Sequence, residues 1–211
     1  MSIATDIDLR IPGLEALGPQ RLPFAPSLEI RAFVLTRERG NLLVYSTAAL
    51  GDPGDISRWY LNHGHEAMFA SDSVTAPLFV HERDRAAVEP RAHVRAAFSR
   101  RHTLDDDFEV IPTPGHTPGA TAYVWDNGDH RFLFTGDTIY LRDGEWVGAV
   151  LDSSDRAAYL DSLELILELD FDVLVPWAAS AGQPYHAVTN RADARRRIDA
   201  LARRVRAGGD G

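Results

Sequence analysis

The sequence predicts a single domain of mixed strands and helices, α/β or α+β, and three observations predict it. Short apolar runs bounded by turn residues are interspersed with two amphipathic helical stretches. The chain has 211 residues, the length of one ordinary domain with a sizeable core. With 45% hydrophobic and 25% charged residues, it has a globular composition, which excludes disorder and collagen-like repeats.

Residues 1–26 carry Pro12, Pro19, Pro23 and Pro26 with little periodicity. That predicts an extended arm with no chemistry, lying on a domain of residues 27–211. Residues 28–35 and 41–45 flank the turn-like Arg37-Glu38-Arg39-Gly40 and read as paired strands. Further strands are expected at 59–61, 78–80, 108–111, 120–125, 131–135 and 173–175. A helix is expected from 155 to 169, with Ser153 and Ser154 as cap candidates and Tyr159, Leu163, Ile166 and Leu167 on one side. A last helix, 190 to 206, aligns Ala194, Ile198, Leu201 and Val205 and leaves its arginines on a solvated face.

Composition removes several function classes. The net charge of -9 opposes attraction to nucleic acid or anionic lipid, so neither is an expected partner. All 22 basic residues are arginine, which excludes Schiff-base chemistry and a phosphate-binding Walker lysine. Without cysteine there can be no disulfide, thiolate nucleophile or iron–sulfur cluster, so any metal must be held by histidine and carboxylate. The start Met-Ser-Ile-Ala-Thr-Asp lacks a basic flank leading into an apolar run, and no later run could span a bilayer. A soluble, cytoplasmic protein is expected. Ser180 lacks the first glycine of a nucleophile elbow, and no Gly-x-Gly-x-x-Gly motif supports dinucleotide binding.

Three segments place chemically useful side chains at strand ends: Leu61-Asn62-His63-Gly64-His65-Glu66, Thr113-Pro114-Gly115-His116-Thr117-Pro118-Gly119 and Phe134-Thr135-Gly136-Asp137-Thr138. If the strand before His63 continues, alternation turns both rings of His-x-His to one face. Proline and glycine around His116 make a rigid loop that fixes one imidazole, and Asp137 sets a carboxylate at a strand terminus. Taken singly, each has an ordinary explanation: a surface dipeptide, a tight turn, an Asx turn.

In order and spacing, the three together resemble the metallo-β-lactamase-fold superfamily, from about residue 28 to 178. The resemblance implies a four-layer α/β/β/α sandwich with one or two metal ions at its edge. It assigns His63, His65 and His116 to the first ion, with Asp137 as the residue that bridges to the second. The family's first motif, His-x-His-x-Asp-His, continues here with Ala67 and Met68, and its last Pro-Gly-His becomes Pro176-Trp177-Ala178. The second position therefore lacks its ligands. Because the losses fall on one ligand set only, they suggest a mononuclear site still in use.

Three neutral imidazoles leave a divalent ion with positive charge and an open position. Zinc fits such ligation, and iron or manganese are the alternatives. The resemblance thus implies hydrolysis of a small ester, thioester or related acyl substrate, with Asp137 catalytic. One alternative is a non-haem iron oxygenase of the persulfide dioxygenase type, whose iron ligands His63, His116 and Asp137 resemble. Another is a non-catalytic metal-binding or regulatory protein. The absent aspartate at Ala67 counts against the usual hydrolytic mechanism, and Tyr45-Ser46-Thr47 replaces the family's frequent Asp-Thr-Gly. Trp177 is expected to pack in the core or to fill the space of the second ion. His186 is expected in a surface loop, and His81, His93, His102 and His130 facing solvent. Glu66 is expected to point away from His65 on an extended chain, or to serve as a first-turn acid if a helix begins there.

Overall fold

The computed structural model describes residues 11–209, so the first ten residues of the expected arm lie outside the described part. In chain order, β1 (Leu14–Leu22), β2 (Ala25–Leu35), β3 (Leu42–Val44) and β4 (Arg58–Tyr60) precede a single 3-10 turn, Gly64–Phe69. Then come β5 (Leu78–His81), α1 (Arg85–Val88), β6 (Val94–Phe98), β7 (His102–Leu104), β8 (Phe108–Pro112), β9 (Thr121–Asp126) and β10 (Arg131–Phe134). The rest is β11 (Tyr140–Arg142), β12 (Glu145–Val147), α2 (Arg156–Glu168), β13 (Val173–Val175), β14 (Ala178–Ser180), β15 (Ala187–Val188) and α3 (Arg191–Arg206).

Two sheets form. One runs β12-β11-β14-β2-β3-β4-β5-β6, with β1 also paired to β2, and the other runs β15-β13-β10-β9-β8-β7. Alternation along each strand sorts its side chains between two cores. Phe33, Leu35, Val110, Tyr123, Trp125, Phe132, Phe134, Val173 and Val175 meet in the central core between the sheets. Their neighbours Ile111, Ala122, Val124, Leu133 and Leu174 face outward, against Tyr159, Leu163 and Ile166 of α2 and Ile198 and Leu201 of α3. On the far side, Val34, Leu43, Trp59 and Val80 pack under Val88 of α1 and Ala67 of the 3-10 turn. These layers make the α/β/β/α sandwich. Among the described residues no helix is long and apolar enough to cross a membrane.

The expected hairpin is present, with Phe33 opposite Val44 and Leu35 opposite Leu42. Within the stretch read as an arm, residues 14–22 pair antiparallel with β2, and a register shift between Leu17 and Gln20 accommodates Gly18 and Pro19. That bulge breaks the period-two pattern by which a strand is recognised. The stripe expected for α3 is buried as a set, and Asn190 caps the helix by accepting from Ala192 and Asp193 N–H. At α2 the cap is Asp155 rather than a serine: its carboxylate accepts from Ala157 and Ala158 N–H.

Candidate metal centre

Strand β4 stops at Tyr60, and the chain then bends into the 3-10 turn with His63 as its first flanking residue. The two rings of His-x-His therefore converge through a turn and not through strand alternation. Glu66 closes that turn, its Oε1 accepting from Asn62 N–H (2.8 Å) and His63 N–H (3.1 Å). It is the first-turn acid of the two expected alternatives. Its carboxyl is fully buried, and this burial pushes its pKa well above the ordinary value, against the pull of those N–H donors.

The His116 loop is held from three sides. Ser162 donates to the Pro114 carbonyl (2.7 Å), Ser154 to the His116 carbonyl (3.1 Å), and Asp155 N–H to the Gly115 carbonyl (2.9 Å). Gly115 has φ +140°, and a Cβ there would lie 2.4 Å from Tyr159 Cα, so only glycine fits. Asp137 follows the end of β10 through Gly136, at φ +56°, where a Cβ would strike Asn62 Oδ1. The Tyr45 hydroxyl fixes this corner by accepting from Gly136 N–H (2.8 Å) and donating to the Val175 carbonyl (2.8 Å).

One nitrogen of each of His63, His65 and His116 lies within 4.8 Å of the others. His116 Nδ1 sits 2.6 Å from the Ala149 carbonyl and must donate to it, which leaves Nε2 as the lone-pair atom. His63 Nδ1 is 3.2 Å from Asn62 Oδ1 and 3.1 Å from Glu66 Oε1, which directs its own Nε2 inward. Asp137 Oδ2 lies 3.5 Å from His63 Nε2 and 3.7 Å from His116 Nε2, and His65 Nδ1 lies 3.1 Å from His116 Nε2. Burial and the neighbouring His116 and His65 hold the His63 pKa well below the ordinary histidine value, and burial with His116 lowers that of His65. Burial raises the Asp137 carboxyl, opposed by His116.

The donor set fits a divalent cation on an internal criterion. His63 Nε2 is wholly buried, bears a lone pair and has no hydrogen-bond partner. Imidazole lone pairs beside one carboxylate are the ligands such an ion takes.

Sequence reasoning missed Asp84, which ties the two histidine segments together. Its Oδ2 accepts from Gly64 N–H (2.7 Å) and from the Thr117 hydroxyl (2.6 Å), and its Oδ1 accepts from Gly119 N–H (2.8 Å). Trp177 packs in the core, the first of its two expected alternatives. It is buried, donates from Nε1 to the Ser46 carbonyl (2.8 Å), and sets its ring edge-on to His63 at 5.4 Å. Ser46 in turn donates to the Glu66 carbonyl (2.6 Å), so Tyr45-Ser46-Thr47 serves the site through hydrogen bonds and not through a carboxylate. His186 and His81 are buried rather than solvent-facing, and neither belongs to the cluster. A cavity of about 310 Å³ opens beside the cluster, and Leu22, Phe24 and Ala25, from the stretch expected to carry no chemistry, help to line it.

The family model described as the metallo-beta-lactamase superfamily matches residues 45–178, a span that contains all four candidate donors. The chain belongs to the metallo-β-lactamase superfamily. Among solved structures, the DIM-1 metallo-β-lactamase is similar with a TM-score of 0.70 at 12% identity, covering 93% of this chain and 95% of that one. A metallo-beta-lactamase family protein from Thermus thermophilus is similar with a TM-score of 0.63 at 19% identity, covering 93% of this chain and 80% of that one. Identities this low speak for the fold alone. A curated relative, hydroxyacylglutathione hydrolase of Pectobacterium atrosepticum, is 35% identical over 72 residues, 34% of this chain. The match spans only 26% of that relative's length.

Proposed function

We propose that this member of the superfamily is a mononuclear metal-dependent hydrolase of a small ester, thioester or related acyl substrate. Its cation is held by His63, His65 and His116, with Asp137 beside it. The observation that carries this reading is the convergence of three imidazole nitrogens within 4.8 Å, with His65 and His116 lining a cavity. The relative named a hydroxyacylglutathione hydrolase supports acyl chemistry, although it matches over a short span.

A divalent cation at this place supplies Lewis acidity, polarising a substrate carbonyl and acidifying water. The remaining work falls to the chain. Asp137 is the only carboxylate lining the cavity among the described residues, so Asp137 Oδ2 takes the proton from the attacking water and returns it to the leaving alcohol or thiol. Water adds to the carbonyl carbon, the C–O or C–S bond breaks, and acid and alcohol or thiol result. His116 is held against the Ala149 carbonyl and keeps its tautomer throughout.

The pair of Nε2 atoms facing Asp137 Oδ2 also favours a second reading, a two-histidine, one-carboxylate iron site for an oxygenase of a thiol-derived substrate. Elemental analysis of protein purified without added metal separates the readings, with His63→Ala as control. One equivalent of zinc or manganese, with ester hydrolysis lost in His63→Ala, is the expected result. Iron with oxygen uptake selects the second reading. Two equivalents overturn the mononuclear site. A His116→Ala variant that loses stability when the parent had no activity to lose makes the protein a non-catalytic metal binder.

A further inference from the structure

Four large hydrophobic side chains are exposed among the described residues, and three of them line one cavity. They are Phe24, Met68 and Leu151, at 71%, 48% and 44% exposure. Single exposed apolar groups need no explanation, but three converging on one mouth from separate elements do. Phe24 comes from the β1–β2 turn, Met68 from the 3-10 turn and Leu151 from the segment after β12. Leu22, Leu28 and Trp177 continue the apolar wall to His65, His116 and Asp137.

The charges are equally informative. Among the described residues, nothing ionisable lines the cavity besides those three candidate site residues and the Tyr140 phenol, and no arginine among them does. Arg142 is held against Tyr140, donating to its hydroxyl and lying 5.2 Å from its ring centre. Along the apolar wall, away from the histidines, an anionic substrate tail would lose hydration without gaining a counter-charge from the described residues that line it, whereas a hydrocarbon chain gains by leaving water.

We infer that the cavity takes the hydrocarbon chain of a neutral, apolar acyl substrate, and that Phe24, Met68 and Leu151 set its preferred length. A glutathione-like anionic carrier is disfavoured. This rests on the hydrolase reading above and names its substrate class.

The test uses the full-length, metal-loaded protein in two arms. In the binding arm, tryptophan fluorescence follows titration with butanamide, octanamide and S-octylglutathione, Trp177 being the reporter in the cavity wall. Each buried methylene gains about fourfold in affinity, so partial burial of four more makes octanamide at least about tenfold tighter than butanamide. S-octylglutathione binds no tighter than octanamide, and Phe24→Ser removes most of the octanamide advantage. In the kinetic arm, p-nitrophenyl octanoate has a KM about tenfold below that of the butanoate with kcat little changed, the mark of uniform binding. Phe24→Ser raises the octanoate KM toward the butanoate value.

Equal binding of the two amides, or a glutathione portion that tightens binding, overturns the inference. So does a dimer in sedimentation that Phe24→Ser dissolves while octanamide binding stays as it was, because the mouth is then an interface between copies. Octanamide binding without turnover of any ester sustains the pocket and defeats the hydrolase proposal. Ester turnover with a flat chain-length profile does the reverse.

Discussion

The edge of the sandwich has two corners built from neighbouring residues under opposite rules. At one, His63, His65 and His116 meet, and the rings of His63 and His116 each have a polar group beside Nδ1: Asn62 Oδ1 and Glu66 Oε1 for His63, the Ala149 carbonyl for His116. At the other, Ala67 is 2% exposed among the outer-sheet residues, while Met68 and Ala178 form cavity wall beside Trp177. The first corner is backed by polar groups that orient the donors, and the second is lined with carbon. A ligand position is therefore defined as much by the groups behind the donor as by the donor itself. The apolar corner serves as cavity wall.

Gly115→Ala should break this contrast most severely, since the new Cβ meets Tyr159 backbone at φ +140°. A loss of about 3 kcal/mol in denaturant unfolding is expected, with the metal equivalent lost as the His116 loop shifts. Asp84→Asn comes next. One amide cannot accept all three donors, so apo stability should fall by about 2 kcal/mol and metal affinity by about 10- to 100-fold in a chelator competition. Unchanged affinity in a destabilised variant would reduce Asp84 to a structural staple.

Ala67→Asp probes the apolar corner. A carboxylate at this site, packed on Val34, Leu43, Trp59 and Val80, should cost about 1 to 2 kcal/mol and leave the metal count at one, by melting and elemental analysis. A second equivalent would show that this corner can hold an ion. The smallest effect concerns His186, whose pKa is lowered by burial alone. The unfolded chain then binds the proton more readily, so its contribution is present above the ordinary histidine value and lost as pH falls toward the lower folded one. Replacing it in His186→Gln should flatten the acid side of the stability–pH curve by less than one proton.

Much of this was legible in residue order. Pro-Gly-His116-Thr-Pro-Gly and Gly136-Asp137 announce themselves because backbone punctuation surrounds each donor, and the α3 stripe is regular over its whole length. What stayed hidden is short or non-local. Strands β3, β4, β7, β11, β12, β13 and β14 have three residues each, less than two periods of alternation, and only β3, β4 and β13, which lie in apolar or aromatic runs, stood out. Asp84 lies in the charged run Glu82-Arg83-Asp84, twenty residues from Gly64 and thirty-five from Gly119, with nothing local to mark it. The acceptor for His116 is the carbonyl of Ala149, and a backbone oxygen has no letter in a sequence.

The β1–β2 turn that carries Phe24 has a consequence for how such a protein diversifies. It stands apart in the chain from the segments bearing the imidazoles, so changes at the tip of that hairpin would alter the cavity mouth without disturbing the histidine cluster. Selection for a new metabolite could act on a few surface codons while leaving the interior machinery untouched.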